Sequence, residues 1–184
     1  NKVDIVLTGD SFTEGDCVKP NNTISAVLRK LNFIAISIGK GSNGPLIEFA
    51  ALKEYAEPLK PKIVLWVYFL SDISNLSKEI ESSLLKKYLN EDDYSQNLIS
   101  RQEEIDGVLI NYIKFQWGKK KKERESVKGR IINLLKLTKL RRMINLKPTT
   151  THKPHIHIFR DILHKSKQMV SDWNGKMYIV ILPG

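Results

Sequence analysis

The amino-acid sequence predicts an α/β fold built on a parallel sheet, because strand-like and helix-like patterns alternate along it. Short, mostly apolar runs typical of strands occupy residues 3–7, 33–38 and 63–69, and a fourth occupies residues 177–182. Between them, apolar residues recur every three or four positions, as on the inner face of a helix. This alternation is typical of parallel strands joined by right-handed helical crossovers.

The composition is that of one globular domain. The 184 residues are 41% apolar and 27% charged, which excludes a disordered or collagen-like chain. The longest apolar run, residues 63–70, is far shorter than the roughly 18–20 residues that cross a bilayer. The single cysteine, Cys17, cannot form an internal disulfide. The cysteine content therefore does not indicate whether the protein works in an oxidising or a reducing compartment.

Local signals predict the elements of the first half. The strand at 3–7 is followed by turn-forming residues up to Gly15, and Thr23 is the predicted N-cap of a helix that continues to Leu31. Pro45 stands at a favoured helix-start position for the helix predicted over 46–55. The run at 63–69 is rich in β-branched and aromatic residues, which predicts a central strand covered on both faces.

The second half is mainly helical in pattern before its last strand. Helices are predicted over 77–89, 98–117, 127–144 and 157–173, with an exposed connector over 147–154. The three tryptophans, Trp66, Trp117 and Trp173, are expected to pack in the core or between helices.

The net charge of +10 is concentrated in one segment. Residues 114–147 hold thirteen Lys and Arg against two Glu, so this segment carries +11 and the rest of the chain −1. We therefore predict a basic helical insertion with its connector, residues 114–154, within a single domain spanning 1–184. The helix predicted there has an apolar stripe from Val127 to Thr138, which packs on the domain in one interpretation and leaves the basic face in solvent. In the other, the cations from Lys119 to Arg142 bind an anionic membrane or an acidic polymer. Nucleic acid is not favoured as a partner, because no aromatic residues interleave with these cations.

The loop Gly9-Asp-Ser-Phe-Thr-Glu-Gly15 is the first candidate site. It follows the first strand directly, at the edge of the sheet where open α/β folds place their ligands, and Gly9 permits a sharp turn there. Ser11 is the candidate nucleophile. A phosphate-binding turn is the alternative, which the carboxylates of Asp10, Glu14 and Asp16 disfavour.

This loop resembles the first sequence block of the SGNH, or GDSL, hydrolase superfamily of GDSL-like lipases and esterases. The resemblance implies a flavodoxin-like three-layer α/β/α sandwich. The segment Ile38-Gly-Lys-Gly-Ser-Asn-Gly-Pro-Leu46 is similar to the family's second block, a glycine loop whose backbone N–H helps to form the oxyanion hole. Gly41 is the best match to that donor, with Gly39 and Ser42 as neighbouring registers and Asp10 in support.

The third block departs from the family pattern. The third block of the family is a strand followed by an Asn-Asp pair, and it resembles Leu65-Trp-Val-Tyr-Phe-Leu-Ser-Asp-Ile-Ser-Asn-Leu76. If Asp72 matches the Asp of that pair, Ser71 stands in place of the Asn, whose side chain binds the oxyanion in the family. Ser71 can donate a shorter-reaching hydroxyl, whereas Asp72 in the donor position would repel an oxyanion. Asn75 lies further along and reaches the site only if the loop is rearranged.

The fourth family element, an Asp-x-x-His that supplies the general base, has only a poor match. Asp161-Ile-Leu-His164 matches this motif in residue type and spacing. It lies in a predicted helix before the last strand, whereas the family places the pair after a later strand, so we expect Asp161 and His164 to be a surface pair. The chain begins with Asn1 instead of Met, and residues 173–183 resemble the family's penultimate strand. We therefore expect the true Asp and His after Gly184, and the chain to be incomplete at its C-terminus.

The resemblance implies a serine hydrolase of carboxylesterase, O-deacetylase or acyl-transfer type. Its substrate is expected to be a small-molecule, lipid or carbohydrate ester, and no cofactor or metal is implied. The alternative is a catalytically impaired SGNH-fold protein that binds an anionic membrane or acidic polymer through its basic helix. The expected location is the bacterial cytoplasm or the periphery of a membrane.

Overall fold

The fold is a mixed α/β architecture around a parallel sheet, as predicted. A computed structural model describes residues 3–69, 72–125 and 155–182. The four described strands are all parallel and lie in the order β2-β1-β3-β4. Their bounds are Ile5–Gly9 for β1, Ala35–Ser37 for β2, Ile63–Tyr68 for β3 and Lys176–Ile181 for β4.

The described helices connect these strands in sequence. Their bounds are Ser11–Glu14 for α1, Ile24–Lys30 for α2, Pro45–Ala51 for α3, Asp72–Glu79 for α4, Ser83–Asn90 for α5, Gln102–Glu125 for α6 and Ile156–Asp172 for α7. Helix α3 continues as a π-helical turn over Leu52–Ala56 and a 3₁₀ turn over Glu57–Leu59. A further 3₁₀ turn spans Pro20–Asn22.

Helices cover both faces of the sheet, which makes three layers. Alternate residues of a strand point to opposite faces, so Val64 and Trp66 of β3 face one core and Val67 faces the other. Leu46 of α3 and Ile162 of α7 pack in the first core. Leu28 of α2 packs against the second. The sandwich is therefore flavodoxin-like.

The strand order places a topological switch point between β1 and β3. The chain leaves β1 for β2 on one side and returns past β1 to β3, so the loops after β1 and β3 diverge at their carboxyl ends. Gly9, the last residue of β1, is in register with Val67 of β3. Open α/β sheets bind ligands in the crevice at such a point.

The chain divides into two compact units. One comprises Asn1–Ile99 and His152–Gly184 and carries the sheet, and the other is Ser100–Thr151. Within the second unit the described residues form α6. In the described part of the chain, no helix combines the length and apolarity that crossing a membrane requires.

Three predictions about the helices need correction. The single helix expected over 77–89 is two helices, because Ser82 starts α5 as its N-cap, accepting a hydrogen bond from Leu85 N–H at 3.3 Å. The helix expected over 98–117 begins at Gln102 and continues to Glu125. Trp117, expected to be packed, is 71% exposed. The helix predicted over 127–144 and the connector over 147–154 lie outside the described residues.

Candidate active site

Ser11 lies on a tight turn directly after β1. Asp10 is buried and caps α1, with its Oδ1 accepting a hydrogen bond from Phe12 N–H at 2.9 Å. This cap makes Ser11 the first residue of the one-turn helix α1, and Gly15, in a left-handed conformation (φ 82°), caps its C-terminal end. The half-buried Ser11 is therefore held at the carboxyl end of β1, which is the position that the sequence predicts for this serine.

Two glycines allow the turn and the second loop to approach each other. Gly9 has φ 150°, and a Cβ there would lie 2.3 Å from Thr13 Oγ1 and 2.4 Å from the Val67 carbonyl oxygen. A Cβ on Gly39 would lie 2.5 Å from Thr13 Cβ. Neither position has space for a side chain, so both glycines are needed where the loops after β1 and β2 meet.

The structure brings Gly41 next to Ser11. A Cβ built on Gly41 would lie 3.5 Å from Ser11 Cβ, so a side chain at position 41 would touch Ser11 and the two residues are close neighbours. The Gly41 N–H donates a hydrogen bond to Glu14 Oε2 at 2.7 Å. Lys40 Nζ pairs with the other carboxylate oxygen of Glu14. The N–H that the family resemblance assigns to the oxyanion hole is thus occupied by a side chain of the α1 turn.

The charges of this pair stabilise each other. The hydrogen bond from Lys40, supported by the one from Gly41 N–H, holds the pKa of Glu14 below its usual range. The same hydrogen bond raises the pKa of Lys40. Glu14 therefore stays a carboxylate, and Lys40 an ammonium, throughout the neutral pH range.

The loop after β3 contributes an aromatic contact and an amide. Phe69, which follows β3, lies 5.1 Å from Phe12 between ring centroids. Asn75, half-buried on α4, donates from Nδ2 to the Asn43 carbonyl at 3.4 Å. Asn75 is therefore placed against the glycine loop that carries Gly41. Ser71 and the side chain of Asp72 lie outside the described residues.

A buried carboxylate that the sequence reasoning missed braces the same loop. Glu79 on α4 accepts hydrogen bonds from Gly44 N–H at 2.6 Å and Leu46 N–H at 2.9 Å, at the start of α3. Burial raises the pKa of Glu79, although these N–H groups work against the rise. A glutamate four residues after an Asn on a helix gives no sequence signal for this role, because its partners lie more than thirty positions earlier.

The described histidines do not contact Ser11. Asp161 and His164 lie on exposed positions of α7, as expected of a surface pair, and no hydrogen bond or ion pair joins them to each other in the described ranges. His164 lines a cavity of about 510 Å³ with Lys53, Glu57, Asp92 and Lys165. Its lining includes no residue of the loops that carry Ser11 and Gly41.

The described part of the chain is thus a flavodoxin-like α/β protein with a serine turn and a glycine loop meeting at the switch point. No protein-family model, curated protein or solved structure matches it. Its assignment to a particular activity therefore rests on its own residues and their geometry.

Proposed function

We propose that this chain is a serine hydrolase domain of SGNH type, which cleaves ester bonds with Ser11 as nucleophile. The observation that carries the proposal is the position of Ser11 at the switch point, with Gly41 as its close neighbour. The motif resemblance of the loops after β1, β2 and β3 supports the same assignment.

In the proposed mechanism, Ser11 Oγ attacks the ester carbonyl and the carbonyl π electrons move onto oxygen. The N–H groups of Ser11 and Gly41 bind this oxyanion, and Asn75 or Ser71 is the proposed third donor. A histidine oriented by a carboxylate takes the Ser11 proton and returns it to the leaving alcohol. Water then hydrolyses the acyl-enzyme by the same steps in reverse order.

A short-chain aryl ester tests this function on the full-length protein. We expect hydrolysis that Ser11→Ala lowers by at least about a hundredfold, because the reaction loses its covalent route. Ser83→Ala is the matched control, since Ser83 is exposed on α5 and belongs to no part of the site. Hydrolysis by the wild type that Ser11→Ala leaves unchanged would overturn the proposal.

A second candidate function is membrane-surface binding by the second unit, which also fits a catalytically impaired protein. Helix α6 exposes most of its large apolar side chains, including Val108, Tyr112, Phe115 and Trp117. They directly precede the four lysines at 119–122. Exposed aromatic residues beside a lysine cluster are typical of segments that lie on anionic bilayers.

Flotation with liposomes tests the second candidate. We expect the protein to rise with vesicles containing anionic phosphatidylserine, and Trp117→Ser to weaken this binding. Equal flotation with neutral and anionic vesicles would exclude an attraction between the lysines and anionic lipid as the cause of binding. Because Ser11 plays no part in this binding, Ser11→Ala should float like the wild type.

A further inference from the structure

The hydrogen bond between Glu14 and Gly41 has a consequence for any reaction at Ser11. A backbone N–H has one proton to donate, and that of Gly41 is directed at Glu14 Oε2 at 2.7 Å. A substrate oxygen that developed negative charge at the same N–H would lie beside a carboxylate. Like charges at such distances repel strongly.

We infer that Glu14 is an internal occupant of the oxyanion position, and that a substrate must displace its carboxylate from Gly41 before Ser11 can react. The inference rests on the proposed function. It makes Glu14 a gating residue that acts through Gly41, and it adds a step of side-chain movement before acyl transfer.

The contacts of Glu14 permit this displacement. Its side chain is 29% exposed, and Lys40, its ion-pair partner, is 71% exposed. Both side chains are long and reach solvent, so the pair can swing away from Gly41 while remaining in contact. The opposite arrangement, a buried carboxylate fixed by several N–H groups, is found at Glu79 in the same loop system. Glu14 has only one such N–H bond among the described residues.

A structural brace is the competing role for Glu14, and the two roles predict opposite effects. If Glu14 held the glycine loop in its active position, removing it would slow the reaction of Ser11. If it occupies the oxyanion position, removing it frees the Gly41 N–H and accelerates the reaction. A hydrogen bond to a charged group is strong enough for its release to change a rate by about tenfold to a hundredfold.

The first arm of the test measures the rate at which a fluorophosphonate labels Ser11 in the full-length protein. Its phosphoryl oxygen needs the same N–H donors as an ester oxyanion. We expect Glu14→Ala to label about tenfold to a hundredfold faster than the wild type, with Glu14→Gln in between because its amide oxygen still accepts. The matched control is Asp16→Asn, an exposed carboxylate of the same turn, expected to stay within about twofold of the wild type.

Each outcome of this arm decides between the roles. Labelling of Glu14→Ala that is equal to or slower than that of the wild type overturns the inference alone and leaves the hydrolase intact. Labelling seen only after Glu14 is removed supports both. Absence of Ser11-dependent labelling in the wild type and both Glu14 variants overturns the proposed function, and the inference with it.

The second arm does not depend on any reaction of Ser11. In the wild type, the amide proton resonance of Gly41 should shift as Glu14 is titrated with acid, and this shift should be absent in Glu14→Gln. Asp10 and Asp16, the other carboxylates of the turn, are present in both proteins, so the comparison isolates the effect of Glu14. A Gly41 resonance that titrates alike in both would overturn the inference even if Ser11 proved reactive.

Discussion

At the scale of single residues, the candidate site depends on how closely two loops can approach. Thr13 lies against both Gly9 and Gly39, and a Cβ on either glycine would overlap it. Ser37 Oγ adds a hydrogen bond to the Thr13 carbonyl at 2.9 Å. These contacts hold the Ser11 turn against the loop that carries Gly41.

Gly39→Ala is expected to destabilise the protein by about 1–3 kcal/mol, because the new methyl group would lie 2.5 Å from Thr13 Cβ and force the loops apart. Gly107→Ala is the matched control. Gly107 lies within α6 and a Cβ there would meet nothing within 4 Å, so alanine should be neutral or stabilising. Urea unfolding measures both variants. A loss no larger for Gly39→Ala than for Gly107→Ala would contradict the account of the loops.

The sequence was sufficient to place Ser11 but not to describe its surroundings. An apolar run followed by Gly-Asp-Ser predicts a serine at the end of a strand, and the structure has it there. The contact between Glu14 and Gly41 joins residues 27 positions apart, and no local pattern predicts it. The roles proposed for Ser11 and Gly41 remain predictions.

At the scale of elements, one carboxylate on the π-helical turn after α3 binds both α5 and the segment that follows α5. Glu54 accepts hydrogen bonds from Tyr88 Oη at 2.5 Å, Gln96 N–H at 2.5 Å and Leu98 N–H at 2.9 Å. Burial works to raise the pKa of Glu54, but the bonds from Leu98, Tyr88 and Gln96 outweigh it and hold the pKa below its usual value.

Glu54→Gln is expected to lower the free energy of unfolding at pH 7 by about 1–3 kcal/mol. The glutamine amide would place an NH₂ group opposite the O–H and N–H donors that Glu54 accepts from, so at least one of their hydrogen bonds would be lost. A carboxyl with a lowered folded-state pKa stabilises the fold above its ordinary pKa of 4.5, and this benefit is lost as the pH falls through the lowered value. The difference between wild type and variant should therefore shrink on acidification.

Denaturant unfolding between pH 7 and pH 3 measures this difference, and Glu57→Gln is the control. Glu57 is exposed at the end of the same helical segment, so its substitution should change the stability by less than about 0.5 kcal/mol. A Glu54→Gln difference that stays constant or grows as the pH falls would contradict the role given to this carboxylate.

The strands were easier to predict than the helix boundaries for a physical reason. A strand buried on both faces, such as β3, needs a continuous apolar run, which is visible in the sequence. The break between α4 and α5 lies inside a continuous apolar period, and it depends on the Ser82 cap and on Glu79 being drawn to the start of α3. The Ser82 cap is a local contact and the Glu79 bond a tertiary one, and apolar periodicity encodes neither.

At the scale of the whole molecule, β4 has the apolar sequence of a central strand but lies at the edge of the described sheet. It pairs with β3 on one side, and the described ranges place no strand on its other side. Tyr178, Ile179, Val180 and Ile181 are each at least 40% exposed. An apolar edge of this kind is prone to pair with another chain.

Ile181→Lys is therefore expected to reduce self-association of residues 1–184, because a charge on an edge strand opposes pairing. Leu31→Lys is the control. Leu31 lies at the end of α2, outside the sheet, and its exposed fraction of 61% is similar to the 67% of Ile181. Sedimentation velocity over a range of concentrations compares the two. An equal effect of both substitutions would indicate general apolar association instead of strand pairing.

Peptide mapping by mass spectrometry of the full-length protein, after reaction with a fluorophosphonate, shows directly whether Ser11 is reactive. We expect a single adduct on the peptide that contains Ser11, lost in Ser11→Ala and kept in Ser83→Ala. An adduct on another serine, or none in either the wild type or Glu14→Ala after prolonged exposure, would contradict the claim that the turn after β1 carries a nucleophile.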